Sequence, residues 1–254
     1  MISLSLRRRG AAGTKLFIHG FLGSGEDWAE TINQIEGDYS CVTLDLPSHG
    51  KAPDLASSLK SFEDVIQAIG ESLKERLTQP VHGIGYSLGG RILLGLTRRY
   101  PDLFNQLTFI STFPGFEEPS ARHARWESDL RWSSLLGSLD KETFLTRWYS
   151  QETFQSAIWS DATRAKIIGA RSALALPRVA RLFEATSAAK MSSYWSFLQS
   201  LPLRTTFIAG ERDAKYVEIG KELVTRNPSI QLEIVPLCGH AIPLENPPAL
   251  AKAL

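Results

Sequence analysis

The sequence predicts an α/β protein built on a doubly wound, mostly parallel sheet that carries a helical cap insertion. Short apolar runs rich in β-branched or aromatic residues recur along the chain and alternate with stretches of helical spacing. Continuous apolar character without strict alternation is typical of parallel strands that are covered on both faces. The alternation of strand and helix patterns indicates a doubly wound sheet.

Seven segments are predicted to form strands. The opening segment ISLSLRR alternates apolar and polar residues and is predicted to add an edge strand. Helix-compatible stretches, such as residues 62–77 and 91–100, separate several of the other runs. The predicted central strands are KLFIH (15–19), CVTLDL (41–46), VHGIGY (81–86), LTFIS (107–111), TTFIAG (205–210) and IQLEIV (230–235).

The strand–helix alternation stops between residues 113 and 189, where four tryptophans and several arginines accompany helical spacing. We expect this segment to be a helical cap inserted after the strand at 107–111, with ordinary core-packing helices as the alternative. The predicted organisation is therefore a core of residues 1–112 and 190–254 and a cap of residues 113–189.

The charge and composition of the chain limit the kinds of molecule that it is expected to bind. The chain has 254 residues and a formal net charge of +1, so bulk charge favours neither nucleic acid nor an acidic membrane surface. No segment approaches the ~20 apolar residues of a membrane span, and the arginines of MISLSLRRRG follow its apolar part, the reverse of a signal peptide. We expect a cytoplasmic protein in which Cys41 and Cys238 are core residues, not disulfide or metal ligands.

The stretch GYSLGG places Ser87 between two glycines, at the point where a strand pattern ends and a helix pattern begins. A G-x-S-x-G sequence in this position is typical of the nucleophile elbow, a tight turn that raises the serine hydroxyl above the sheet. Gly85 and Gly89 remove side chains that would clash across the turn. The N–H of Leu88 is then directed at an oxyanion beside the serine. An ordinary glycine-rich turn is the alternative.

A serine nucleophile or base requires a histidine partner. The chain has five histidines, and His240 is the one that follows the final predicted strand. The expected chain order in this kind of site is serine, then acid, then histidine, which His240 satisfies. His19 and His49 lie in turns after earlier strands and are candidates to line the site.

The acid is expected after a strand that precedes His240, and GERDAKY offers Asp213, with Glu211 in reserve. The acid would hold the tautomer and orientation of the imidazole; a helix N-cap is the alternative role for Asp213. The second oxyanion donor is expected in the loop after an early strand. This loop is HGFLGSGEDW, and its candidate donor is the N–H of Phe21. The loop matches neither of the common phosphate-binding glycine patterns.

Five motifs occur in the order in which they stand in proteins of the α/β-hydrolase fold, which the chain resembles over nearly its whole length. They are HGFLGSGEDW, LDLPSHG, GYSLGGR, GERDAKY and CGHAIPLENP. The combination of GSGEDW with GYSLGGR and the segments RHARWESDLRW, RWYSQETF and LFEATS is similar to a narrower group. This group is the 2-succinyl-6-hydroxy-2,4-cyclohexadiene-1-carboxylate (SHCHC) synthases of menaquinone and phylloquinone biosynthesis. Two departures are Ser48, where the LPGHG form has glycine, and GARSALAL, where polar residues are expected after the arginine.

The resemblance implies elimination of pyruvate from a succinyl-bearing cyclohexene, not hydrolysis. Ser87, activated by His240, would act as the base without an acyl-enzyme, and neither a metal nor an organic cofactor is implied. The implied partner is a small-molecule carboxylate, and a monomer or weak oligomer is expected. The implied substrate-binding residues are Tyr86, Arg91, Arg125, Trp148 and Arg171.

The residues themselves give Arg91 a reason to face the site, because it lies one helical turn beyond Ser87. Arginine stays charged and binds carboxylates in bidentate fashion. Each implied residue also has an ordinary alternative: a helix neighbour for Arg91, a solvated face for Arg125 and Arg171, and plain core packing for Trp148. For the whole chain, a serine hydrolase acting on an anionic small molecule and a non-catalytic ligand-binding module are the competing functions.

Overall fold

The computed structural model describes residues 2–54, 57–155, 159, 161–171 and 173–254. Its described part contains a seven-stranded sheet with strand order β1-β3-β2-β4-β5-β6-β7. The strands are β1 (Ser3–Arg8), β2 (Thr14–Ile18), β3 (Ser40–Asp45), β4 (Val81–Tyr86), β5 (Phe104–Ile110), β6 (Arg204–Gly210) and β7 (Ile230–Val235).

The pairing of the strands confirms the predicted doubly wound, mostly parallel sheet. The edge strand β1 pairs antiparallel with β3, and every other pair is parallel. The strand predicted at 107–111 begins earlier than expected, at Phe104, because its register with β4 pairs Phe104 with Val81. Because β4, β5 and β6 are neighbouring parallel strands, their carboxyl ends lie side by side at one edge of the sheet. Open α/β sheets bind their ligands at this edge.

The described helices flank the sheet or follow β5. The helix predicted over 62–77 begins after Ser61, which forms a capping box with Asp64, and ends at Lys74. The helices are α1 (Ala29–Gln34), α2 (Phe62–Lys74), α3 (Leu88–Arg99), α4 (Pro119–Ser138), α5 (Lys141–Tyr149), α6 (Glu152–Gln155), α7 (Asp161–Ala170), α8 (Leu176–Ala185), α9 (Trp195–Gln199), α10 (Ala214–Arg226), α11 (Ile242–Glu245) and α12 (Pro247–Lys252).

The two faces of the sheet bury separate apolar clusters, as continuous apolar strands require. In β2, Leu16 and Ile18 join the cluster under α2 and α3. The intervening Phe17 points to the other face and joins the cluster under α1 and α12. Burial on both faces stabilises the sheet and fixes the positions of its strand ends.

Helices α4 to α8 fall within residues 113–189, between β5 and β6. A third apolar cluster joins Phe144 and Val179 of these helices to Leu22, which follows β2. Leu182 of α8, in contrast, packs into the main core with α2 and α3. The division into a core of 1–112 and 190–254 and a cap of 113–189 remains a prediction.

No helix within the described ranges is long and apolar enough to cross a bilayer. The same residues contain no group of three or more His, Cys, Asp or Glu that could hold a metal ion. Cys41 and Cys238 are both buried and unpaired.

Candidate active site

Ser87 occupies a strained turn between β4 and α3. Its backbone has φ 51° and ψ −107°, a region that residues with a Cβ rarely adopt. Two hydrogen bonds hold this backbone: the Ser87 N–H donates to Ile110 O at 2.9 Å and Arg91 N–H donates to Ser87 O at 3.1 Å. A Cβ on Gly85 would lie 2.7 Å from the Cα of Gly90, so the close approach of strand and helix requires glycine.

His240 and Asp213 meet Ser87 at the carboxyl edge of the sheet. His240 Nε2 lies 3.1 Å from Ser87 Oγ, and His240 Nδ1 lies 2.7 Å from Asp213 Oδ2. The Arg212 N–H donates to Cys238 O at 2.8 Å, which ties the loop after β6 to the loop after β7. An Nδ1–H donated to the carboxylate leaves Nε2 free to accept the serine proton, which is the arrangement of a Ser-His-Asp triad.

The two glutamates near these loops hold backbone N–H groups. Glu211, the reserve candidate for the acid, accepts the Leu237 N–H at 2.9 Å, so Asp213 is the acid that contacts His240. Glu245 accepts the N–H of Gly239 at 2.6 Å and of Ala241 at 2.8 Å, on either side of His240. Burial raises the pKa of Glu245. The sequence pattern did not single out Glu245 as a positioning residue, since its only signal is an acid five residues after the histidine.

The two predicted oxyanion donors lie on the loop after β2 and at the start of α3. Leu88 is the first residue of α3, where a backbone N–H has no acceptor within its own helix. Phe21 precedes Leu22, which takes a left-handed φ of 64°. The Leu22 N–H donates to His49 Nε2 at 3.1 Å. The buried His49 side chain therefore fixes the N–H of Leu22, the residue that follows Phe21.

His19 and His49 brace this loop as neutral imidazoles. His19 Nδ1 donates to Gly20 O at 2.7 Å, and its Nε2 accepts the Leu46 N–H at 3.0 Å. His49 Nδ1 donates to Pro47 O at 3.0 Å. Burial lowers the pKa of His19 to about 4 and of His49 to about 3. Each ring therefore keeps one tautomer, which suits a structural brace.

Aromatic rings surround His240 and the loop after β2. The Tyr86 ring lies 5.6 Å from the His240 ring, and the Tyr216 ring lies 4.7 Å from it. Trp148, on α5, lies 5.0 Å from the Phe21 ring. A cavity of about 20 Å³ remains beside Phe21 and Tyr86. This volume holds about one water, so the space directly beside Phe21 and Tyr86 is closely packed.

Arg91 is on α3 and Arg125 is on α4. Burial raises the pKa of Tyr216, and the charges of Arg125 and Arg91 oppose that rise. The Arg91 guanidinium donates to Thr186 O, so its partner in this structure is a neutral carbonyl. Burial, followed by the nearby Arg125, lowers the pKa of Arg91 to about 10. Arg125 pairs with Asp129 at 2.7 Å, one helical turn along α4.

Arg171 lines the same small cavity as Phe21 and Tyr86 and lies near His19 and His49, whose pKa values it helps to lower. Its guanidinium forms two hydrogen bonds with Asp27, at 2.6 and 2.9 Å, and its Nε donates to Tyr149 Oη at 3.3 Å. Burial lowers the pKa of Arg171, but Tyr149 and Asp27 raise it by more. Arg171 is thus held in a bidentate pair with Asp27, whereas Arg91 contacts a carbonyl.

The strand order, the elbow and the serine–histidine–aspartate arrangement are features of a known protein family. A sequence model described as the alpha/beta hydrolase family matches residues 16–253. The chain belongs to this family. The α/β-hydrolase fold predicted from the motifs is confirmed by that match together with the sheet topology.

Several curated members of the family are similar over most of this chain. An SHCHC synthase of Enterobacter sp. (strain 638) is 29% identical, with 94% of this chain and 89% of the relative covered. An SHCHC synthase of Yersinia enterocolitica is 29% identical, with coverages of 93% and 83%. Protein PHYLLO of Arabidopsis thaliana is 28% identical over 94% of this chain, but the chain spans only 15% of that protein. The resemblance stated from the motifs is thereby confirmed, and these relatives indicate an enzyme on the hydrolase fold.

Solved structures that are similar to this chain agree on the fold. MenH from S. aureus has a TM-score of 0.90 and 22% identity, with 99% of this chain and 95% of that chain covered. A carboxylesterase from the thaumarchaeon Nitrososphaera gargenis has a TM-score of 0.83 and 13% identity, with coverages of 99% and 92%. Proteins with different names therefore share this architecture, so the fold by itself does not specify the reaction.

Proposed function

We propose that the chain is an SHCHC synthase. It would eliminate pyruvate from 2-succinyl-5-enolpyruvyl-6-hydroxy-3-cyclohexene-1-carboxylate and release 2-succinyl-6-hydroxy-2,4-cyclohexadiene-1-carboxylate. The observation that carries the proposal is the partly buried Arg91 guanidinium one turn beyond a Ser87–His240 contact of 3.1 Å. Among the described residues Arg91 contacts a carbonyl and forms no ion pair with a carboxylate. A base beside such a cation suits an anionic substrate, and the names of the Enterobacter and Yersinia relatives supply its identity.

The proposed reaction uses Ser87 as the base. His240 Nε2 accepts the serine proton as Ser87 Oγ removes the proton from the ring carbon that bears the succinyl group. The electron pair shifts through the ring double bond to form the 2,4-diene and breaks the bond between the ring and the enolpyruvyl oxygen. The leaving group then takes up a proton from the His240 imidazolium, which returns the histidine to its neutral form, and the product is pyruvate.

Charge developing on the succinyl ketone oxygen would be stabilised by the N–H groups of Phe21 and Leu88. Donors fixed before the reaction are effective because they need no reorganisation when charge develops. The His49 contact to Leu22 supports this role for Phe21, since it restrains the loop. Asp213 would hold the imidazole and stabilise its cationic form.

The substrate carries carboxylates on the ring, the succinyl chain and the enolpyruvyl group. Arg91 is the principal proposed carboxylate ligand because a carboxylate is a stronger acceptor than the Thr186 carbonyl it now contacts. Arg125 would contribute charge from its pair with Asp129, while Tyr86 and Trp148 would line the pocket. Arg171 remains a predicted carboxylate-binding residue. A substrate carboxylate that binds it would have to share the guanidinium with Asp27.

The proposal extends to partners and location. We propose a small-molecule carboxylate as the only partner needed for turnover, without nucleic acid, a membrane or a metal. A cytoplasmic monomer or weak oligomer fits this activity.

A coupled assay of pyruvate release tests the proposal. The succinyl-cyclohexene substrate is made enzymatically, and pyruvate is followed for the wild type and for Ser87→Ala. We expect rapid release by the wild type and a loss of about 10⁴-fold or more in the variant, because the base is removed. Circular dichroism checks that both proteins are folded. Absent release from folded wild type would overturn the proposal.

Serine hydrolysis of an anionic ester is the second candidate, favoured by the serine–histidine–aspartate geometry itself, which serves acyl transfer equally well. It predicts a burst of product from an activated anionic ester and an acyl adduct on Ser87. Mass spectrometry of the protein mixed with p-nitrophenyl succinate separates the two functions. An accumulating adduct together with absent pyruvate release would favour the hydrolase.

A further inference from the structure

Asp129 is a buried carboxylate on α4, beside one of the proposed substrate arginines. The residue is 2% exposed. The Arg125 Nε donates to its Oδ1 at 2.7 Å, and the Ser187 hydroxyl donates to its Oδ2 at 2.6 Å. A carboxylate buried this deeply is unfavourable unless it is paired and hydrogen-bonded. Arg125 is its only charged partner in the described part of the chain, so Asp129 depends on this contact.

The bond to Asp129 uses only the Nε of the Arg125 guanidinium, whose other two nitrogens also carry N–H donors. Within residues 2–54, 57–155, 159, 161–171 and 173–254, these terminal nitrogens of Arg125 donate no hydrogen bond. In Arg171, by contrast, both terminal nitrogens donate to Asp27. The Arg125 side chain is also 34% exposed. Its terminal nitrogens are therefore available to an external carboxylate, which can accept two parallel bonds from them.

Ser187 lies in the segment that follows α8 and is itself held in place. It is 2% exposed, and its Oγ accepts the N–H of Ala189 at 3.1 Å. A hydroxyl that accepts from the backbone still has its own hydrogen to donate. The backbone bond therefore restrains the oxygen, and the hydrogen is donated to Asp129.

The same segment contacts Arg91. Ser187 follows Thr186, whose carbonyl accepts a hydrogen bond from the Arg91 guanidinium. The Arg91 N–H in turn donates to the Ser87 carbonyl at 3.1 Å, so this contact lies close to the proposed base. A continuous chain of contacts thus joins Arg125, Asp129, Ser187, Thr186 and Arg91.

We propose that Asp129 and Ser187 are positioning residues for substrate binding by Arg125. They hold the guanidinium by its Nε, so that its terminal nitrogens are in place for a substrate carboxylate before that carboxylate arrives. Immobilising a long side chain only on binding would weaken affinity by about two- to tenfold. The inference deepens the proposed function and rests on it for the identity of the carboxylate.

A second hydrogen bond between α4 and α8 supplies a matched control. The Ser133 hydroxyl, one helical turn beyond Asp129, donates to the Glu184 carboxylate on α8. Among the described residues, neither of these two side chains bonds to an arginine. Ser133→Ala therefore removes a contact between the same two helices and leaves the Arg125 pair intact.

The first experiment compares pyruvate release by the wild type, Ser187→Ala, Asp129→Leu and Ser133→Ala. Leucine occupies the buried position without a charge, and the partly exposed Arg125 stays solvated. We expect KM to rise about threefold in Ser187→Ala and about tenfold in Asp129→Leu, with kcat within about twofold. A loosened arginine weakens substrate and transition-state binding alike. Ser133→Ala is expected to match the wild type.

The second experiment asks whether Ser187 acts through Arg125. The double variant Arg125→Met/Asp129→Leu removes both charges, so no buried charge is left unpaired. Adding Ser187→Ala to it should change KM by less than about 1.5-fold, because residues that act through one contact are not additive. An added rise of about threefold would mean that Ser187 acts without Arg125, and it would reject the proposal.

The third experiment needs no turnover. Phenylglyoxal reacts with the terminal nitrogens of arginine, and tandem mass spectrometry locates the adducts. We expect Arg125 to be labelled and Arg171 to be protected by its bonds to Asp27. The probe 3-benzoylpropionate, a ring with a succinyl chain and no group to eliminate, should suppress Arg125 labelling. Ser187→Ala should need about threefold more probe for equal suppression, whereas Ser133→Ala should not.

The outcomes separate this inference from the proposed function. The expected labelling pattern in a protein that releases no pyruvate would sustain the positioning role and reject the synthase. Pyruvate release with the same KM in Ser187→Ala, Asp129→Leu and Ser133→Ala would reject the positioning role and leave the synthase standing. A lower KM in Asp129→Leu would also reject it, because Asp129 would then compete with the substrate for Arg125. A fall in kcat alone would reject it as well, since that result means a disturbed site and not a weaker ligand contact.

Discussion

The serine–histidine–aspartate group and the arginines of the site are held in place in different ways. Ser87, Asp213 and His240 stand on turns whose backbone is hydrogen-bonded to neighbouring strands and loops. Arg91 and Arg171 are held by partners that are far away in sequence, Thr186 and Asp27. The first group depends on the sheet, and the second on how the helices after β5 pack onto it. Substitutions in the two groups should therefore have different consequences.

The largest expected effect is on activity alone. Asp213→Asn should reduce kcat by about 10⁴-fold because the amide no longer stabilises the imidazolium or the required tautomer. Its free energy of unfolding should stay within about 1 kcal/mol of the wild type, since the amide keeps one hydrogen bond to the ring. Pyruvate release and urea unfolding measure the two quantities. A large fall in the free energy of unfolding of Asp213→Asn, together with its loss of activity, would contradict the separation between the two groups.

The next effect is on stability. Asp27→Asn should destabilise the protein by about 3 kcal/mol, because it leaves the buried Arg171 guanidinium without its counter-charge. Glu30→Gln is the matched control, since the Glu30–Lys166 pair is exposed and should contribute less than about 1 kcal/mol. Urea unfolding of both variants measures the difference. Equal stability of the two variants would show that the Arg171 pair does not secure the helices after β5.

Replacement of Arg91 should affect activity, and less strongly than Asp213→Asn does. Arg91→Met is expected to lower kcat/KM by about a hundredfold, mainly through KM, because a substrate carboxylate would lose its charged partner. Arg99→Met on the same helix is the control, since Arg99 is exposed and its guanidinium donates to Gln67. Steady-state pyruvate release gives the ratio. Unchanged kinetics in Arg91→Met would remove Arg91 from the proposed substrate site.

The smallest effect concerns mild acid and amounts to about 2 kcal/mol per histidine between pH 6.5 and pH 5. Burial lowers the pKa of His82 to about 3, as it does for His19 and His49. Each histidine is neutral in the folded state at pH 5 but protonated when unfolded, since the ordinary pKa is about 6.5. Their stabilising contribution is therefore complete above about pH 6.5. It is lost, by about 1.4 kcal/mol per pH unit for each histidine, as the pH falls toward the folded-state pKa of about 4 for His19 and about 3 for His49 and His82.

Urea unfolding between pH 5 and 7 checks this acid sensitivity. His82→Gln should reduce the slope of stability against pH by roughly one third, while His123→Gln should leave it unchanged because His123 is exposed. A flat profile for the wild type would mean that the three rings are solvated and do not brace the sheet and its loops.

The sequence predicted the fold and the serine–histidine–aspartate group because local patterns specify both. Apolar runs mark the strands, and the glycines around Ser87 mark a turn that few other sequences could form. At Ser48, where related motifs have glycine, the chain still adopts a left-handed φ of 65°, so this turn tolerates serine.

The partners of the arginines were not predicted. Asp27 and Arg171 are 144 residues apart, and Arg91 meets the Thr186 carbonyl across 95 residues. Such pairs are decided by the packing of helices against loops, and no local pattern encodes them. The clamp roles of Arg125 and Arg171 therefore came from resemblance, whereas the geometry assigns each of them a carboxylate within the chain.

The backbone at Ser87 carries a consequence for how this protein can evolve. A residue with a Cβ at φ 51° and ψ −107° costs on the order of 1–3 kcal/mol, and glycine would relieve that cost. Selection for thermal robustness alone would thus remove the hydroxyl, while selection for turnover retains it. Position 87 is where the two pressures oppose each other most directly, and laboratory evolution for heat resistance without an activity screen should drift toward inactive Ser87→Gly variants.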